Sequence, residues 1–62
     1  MMTNKQASAF VNAVFDALVL LGVAKEGNDY RTNTDGSRTW NDDKHNVIQD
    51  ACENILEAFG WR

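Results

Sequence analysis

The sequence predicts one small α+β domain in the order α-β-β-α, with two antiparallel helices flanking a central β-hairpin. Three observations predict it. Two stretches, near residues 4–21 and 42–59, repeat apolar side chains at the period of a helix. Between them, Asn33-Thr34-Asp35-Gly36 separates Tyr30-Arg31-Thr32 from Arg38-Thr39-Trp40, a turn sequence with β-branched and aromatic residues on both sides. Each helical stretch is followed by a glycine, Gly22 or Gly60, the residue that suits the left-handed position after a helix end.

The first helix starts with Thr3 and Gln6, whose spacing is that of a capping box: hydroxyl and amide each satisfy a free backbone donor. Ala7, Phe10, Val11, Val14, Leu18 and Leu21 follow at helical spacing, opposite Lys5, Ser8, Asn12 and Asp16. The second half is apolar nearly all round, because Leu20 falls on the polar side. Val23 can fold back onto Leu18 to complete the helix stop.

Two hairpin registers compete. A two-residue turn at Asp35-Gly36 pairs Arg31 with Trp40 and sends the two aromatics to opposite faces. A type I turn followed by a glycine bulge pairs Tyr30 with Trp40 and puts both on one face. The second is expected, since only it buries both rings together.

The second helix is capped by Asn41 or Asp42, with Asp42 and Asp43 where the helix dipole favours negative charge. Val47, Ile48, Ala51, Cys52, Ile55, Leu56 and Phe59 form its apolar stripe. Gly60 ends it, and Trp61 can pack back on Leu56.

A chain of 62 residues has room for one domain, and at that size folding buries only about 60% of the surface the unfolded chain exposes. Small domains compensate with disulfides, metals or self-association. Cys52 is the only cysteine, so no intrachain bridge forms, and one Cys with one His falls short of a structural zinc site. Self-association remains: Phe15, Val19 and Leu20 exceed what one helix and a hairpin can cover, which predicts a homodimer or higher oligomer centred on helix 1.

The formal charge of −3 disfavours direct binding to nucleic acid or anionic lipid and favours a basic partner. The N-terminal residues lack the pattern of a secretory signal, and the lone thiol suits a reducing compartment, so a cytoplasmic location is expected. The apolar run from Phe10 to Ala24 holds 15 residues, fewer than the ~20 that span a bilayer.

Catalytic chemistry is sparse. His45 and Cys52 stand seven residues apart, roughly 10 Å along a helix, too far to act as base and nucleophile. Cys52 in the apolar stripe reads as a small hydrophobe, and His45 as an edge residue. Asn33, Asp35, Gly36 and Asp42 match part of a calcium loop, but Arg31 occupies the first-ligand position and the turn accounts for the same residues. No metal, cofactor or enzymatic activity is expected.

Charge placement is the feature that points to a role. Asp43, Asp50, Glu53 and Glu57 project from the side of helix 2 opposite its apolar stripe. With Asp42 they amount to about one acid per 5 Å of axis, within twofold of the one charge per 3.4 Å on a DNA strand. The expectation is a small acidic interaction protein, an inhibitor or accessory factor of viral or mobile-element type, directed at a basic, nucleic-acid-binding surface of another protein. An alternative uses Tyr30, Arg31, Arg38 and Trp40, in hairpins of neighbouring subunits, to hold a small anionic ligand such as a nucleotide. A structural part in a larger assembly is a third.

Overall fold

A computed structural model describes residues 1–61 and has the order α1 (Asn4–Leu20), β1 (Tyr30–Thr32), β2 (Arg38–Trp40), α2 (Asp42–Ala58). The fold is the α-β-β-α arrangement of two helices around a two-stranded antiparallel hairpin.

Local sequence sets the helix ends. The Thr3–Gln6 capping box forms in both directions, with Thr3 N–H on Gln6 Oε1 at 2.9 Å and Gln6 N–H on Thr3 Oγ1 at 3.1 Å. Asn41 caps α2 by accepting from Asp43 N–H at 3.0 Å. Both C-termini close the same way. Val23 N–H reaches Leu18 O at 3.0 Å while Gly22, at φ +74°, reaches Val19 O. Trp61 N–H reaches Leu56 O at 2.8 Å while Gly60, at φ +71°, reaches Glu57 O. The Trp61 ring stacks on Phe59, with centroids 4.8 Å apart.

The helices run antiparallel. Phe15, late in α1, stacks on His45, early in α2, and Met2 N–H at the other end bonds to Trp61 O. Between them lie the buried Ala7, Phe15, Cys52 and Leu56. The hairpin pairs Tyr30 with Trp40, Arg31 with Thr39 and Thr32 with Arg38, the register that puts both aromatics on one face. Gly36 donates to Asn33 O and Asn33 donates to Ser37 O, a tight turn with Gly36 left-handed at φ +89°. The inward face then continues into the helices, because Trp40 lies 5.1 Å from Tyr30 and 4.7 Å from Phe15 between ring centroids. That aromatic run is the joint between hairpin and helix pair.

Residues 23–29 are organised by Asp29. Its carboxylate accepts Lys25 N–H at 2.8 Å, its own N–H returns to Lys25 O, and its carbonyl accepts Asn41 N–H at the start of α2. Lys44 Nζ stands 3.8 Å from the same carboxylate. Asp29 is buried, and these bonds account for its tolerance inside. Thr32 and Glu26 add a side-chain hydrogen bond across the loop.

Candidate functional site

The acidic residues of α2 divide into two groups. Asp43, Asp50 and Glu57 recur every seven residues and lie in one exposed row along the outer side of the helix; at ~1.5 Å rise per residue, successive members stand roughly 10 Å apart along the axis. Glu53 is half-buried instead, and lines a polar groove between the helices together with Asn4, Ser8, Asn12, His45 and Gln49. The row is therefore three residues of the expected four, with Glu53 and Asp42 on its flank.

No ion pair among the described residues involves Asp43, Asp50 or Glu57. The bases that form pairs are directed elsewhere. Arg38 bonds Asp16 of α1 at 3.1 Å, and Lys44, the one lysine or arginine of α2, turns to Asp29 on the opposite flank. The outer side of α2 thus presents negative charge with hydroxyl-free, amide-bearing Asn46 as its polar companion.

Of the residues of the anionic-ligand alternative, Tyr30, Arg38 and Trp40 come together and Arg31 does not. In the observed register Tyr30, Thr32, Arg38 and Trp40 share a face, and Arg31 lies with Thr39 on the other. Trp40 is engaged by Phe15 and Tyr30, and the Arg38 guanidinium sits 5.8 Å over the Tyr30 ring while bonded to Asp16. The depression beside β1 that includes Arg31 is also lined by Asp29, Asp42 and Asp43, a set that repels anions.

Of the expected oligomer contact, Phe15 is corrected. It is turned into the chain's own core and is only 8% exposed, because Trp40 and His45 close over it. Val19 is half-buried and Leu20 exposed, and at helical spacing they point in different directions.

The remaining candidates are occupied by structure. Cys52 is 1% exposed, and burial, then the Glu53 carboxylate, pushes its thiol above the ordinary value. Asp35 accepts from Ser37 N–H at 2.9 Å and Ser37 Oγ at 2.6 Å, and those bonds hold its carboxyl below the ordinary value. Among the described residues no three His, Cys, Asp or Glu side chains come together as a metal site, and no helix is long and apolar enough to cross a membrane. Sequence reasoning missed Asp29. An acid before an aromatic strand, with Lys25 four residues earlier, was its only signal.

Comparison of the chain with family models, with curated proteins and with solved structures finds no match.

Proposed function

We propose that the chain is a non-enzymatic interaction protein, an inhibitor or accessory factor whose α2 outer side docks on a basic, nucleic-acid-binding surface of a partner protein. One observation carries this reading: Asp43, Asp50 and Glu57 stand in an exposed row that forms no ion pair among the described residues, while Arg38 and Lys44 neutralise other acids. An uncompensated row costs a free protein some self-repulsion, which a cationic partner relieves. The row alone is about threefold sparser than the charge on a DNA strand, and Asp42 and Glu53 on its flank bring the helix to within twofold. Small size, negative charge and scarce reactive chemistry suit a factor of the kind viral and mobile-element genomes encode, including those directed against host defences; that attribution is an analogy.

The test compares wild type with Asp50→Lys/Glu57→Lys as immobilised baits. Wild type is expected to hold a partner that duplex DNA displaces and that leaves as salt rises past physiological strength, where screening acts over ~8 Å. The double variant should lose it while keeping the fold, since exposed substitutions change stability by about 0.5 kcal/mol or less each. Equal capture by both baits, or capture that DNA and salt leave unchanged, overturns the reading.

A further inference from the structure

Two antiparallel helices leave two grooves between them. One is the polar groove lined by Asn4, Ser8, Asn12, Gln49 and Glu53. The other must be bounded by the opposite flanks of the same helices, and those flanks are apolar. On α1 this flank carries Phe10 and Val14 and ends at Leu21; on α2 it carries Val47, Ala51 and Ile55, continuing to Phe59. Leu21 is 76% exposed, Val47 65% and Phe59 66%. The acidic row borders this flank: Asp50 is about 100° from Ala51, but Val47, four residues after Asp43 and three before Asp50, lies at the edge between the two.

We propose that this apolar two-helix face is the contact surface for a second copy of the chain, giving a two-fold dimer of stacked helix pairs. Two quantities and the layering of the fold favour that occupant. The chain exposes 4643 Å², whereas a compact monomer of its 7.0 kDa mass exposes about 4,000 Å². The excess, about 600 Å², approaches the ~800 Å² that each partner buries in a standard interface. The radius of gyration is 12.5 Å against about 10.6 Å for a compact domain of this length, so the molecule is elongated at 36 × 20 × 20 Å rather than closed on itself. Val23, Ala24, Asp29 and Trp40 border the flank at Leu18 and Ile48, and beyond that end no further element of the described residues is left to form the second layer that domains place over such a surface.

Self-pairing also fits the charges. Lys44 stands at the hairpin end of this flank, where Asp29 pairs with it, and none of the other face residues named is ionisable, so beyond that end a two-fold contact brings no like charges together. Glu57 stays outside it, and Asp43 and Asp50 lie at its edge beside Val47. A symmetric contact requires only that the patch complement itself, which its apolar stretch from Ala51 to Phe59 does. The face differs from one centred on Val19 and Leu20: Leu20, though 83% exposed, points to the back of α1, away from α2.

Sedimentation equilibrium of the full chain decides the matter, with far-UV circular dichroism as the control for folding. Wild type is expected to be a dimer at high micromolar concentration. Leu21→Glu/Ala51→Glu changes two exposed positions away from the acidic row and should keep the helical spectrum while weakening self-association by about 100-fold. Leu20→Glu should leave the dimer within about twofold of wild type, as should Asp50→Lys/Glu57→Lys. A wild-type monomer at these concentrations overturns the proposal. So does an equal loss of association in Leu20→Glu, which moves the contact to the back of α1. Because the acidic-row variant is expected to lose its partner but not its dimer, failure of this proposal is distinguishable from failure of the functional one.

Discussion

Replacing Phe15 with alanine tests whether one aromatic joint holds the hairpin to both helices. Phe15 is 8% exposed and contacts Trp40 at 4.7 Å and His45 at 5.4 Å between ring centroids, so it touches β2 and α2 from its place on α1. Truncating a buried phenylalanine costs about 3–5 kcal/mol, combining lost transfer energy with the cavity left behind. A chain of 62 residues has about 3–9 kcal/mol of total stability at typical values per residue. The variant should therefore stand at or below the threshold of folding. Phe15→Leu keeps most of the volume and should cost about 1.5 kcal/mol or less. Urea unfolding at fixed protein concentration, followed by Trp40 fluorescence in a Trp61→Phe background, measures both; concentration is held constant because association raises apparent stability. With a slope of about 1 kcal/mol/M for so small a protein, the alanine variant should lose its midpoint by about 3 M or more. A shift below about 1 M would refute the reasoning. So would retained helical circular dichroism beside solvent-exposed Trp40 emission, because the hairpin would then dock independently of the helices.

Two further outcomes follow from the perturbed groups. Cys52, nearly inaccessible and with its thiol raised by burial, should react with a thiol-directed disulfide reagent at least about 100-fold more slowly in the native protein than in urea, and equal rates would show that this part of the core is open. Asp35, held below its ordinary value by Ser37, contributes stability that is present above the unfolded pKa of about 3.9 and is lost as pH falls through the lower folded value. Melting temperatures between about pH 5 and 2.5 should accordingly fall less steeply for Asp35→Asn than for wild type, and parallel curves would remove the Ser37 bonds from the acid response.

The elements were legible because each was specified locally. Thr3 with Gln6, Asn41 before two aspartates, and glycines just beyond each helix mark the helix ends through short-range hydrogen bonding, and the structure forms all of them. The hairpin register was legible for a different reason: a period of two leaves one pairing that puts Tyr30 and Trp40 together. What escaped was the direction in which each apolar side chain is used. The stripe on α2 from Val47 to Phe59 reads as one core face, but only Cys52 and Leu56 are buried, while Val47, Ala51 and Ile55 flank them in the open. Phe15 was misplaced by the same ambiguity, since a helix that is apolar nearly all round does not say which side meets its partner. Asp29 was missed because its burial depends on Lys44 and Asn41, brought to it only by the tertiary fold.

The division of α2 into three sides has a consequence for how the chain can act. Cys52 and Leu56 face α1, Ala51 and Ile55 face the open groove, Asp43, Asp50 and Glu57 face outward, and Val47 lies at the edge between the last two sides, all within 17 residues. Successive residues are about 100° apart, so Ala51 and Ile55 can be changed without altering the acidic row. Two copies stacked through their apolar faces carry two acidic rows on outer sides of one particle. A partner that offers two basic sites then meets the second row at an effective concentration set by the dimer's geometry, and avidity can exceed either single contact by 10²–10⁴-fold. Loss of the apolar contact should thus weaken binding to such a partner while leaving binding to an isolated basic site unchanged. Loss of the acidic row should abolish both, which makes the order of dependence, dimer first and docking second, open to direct measurement.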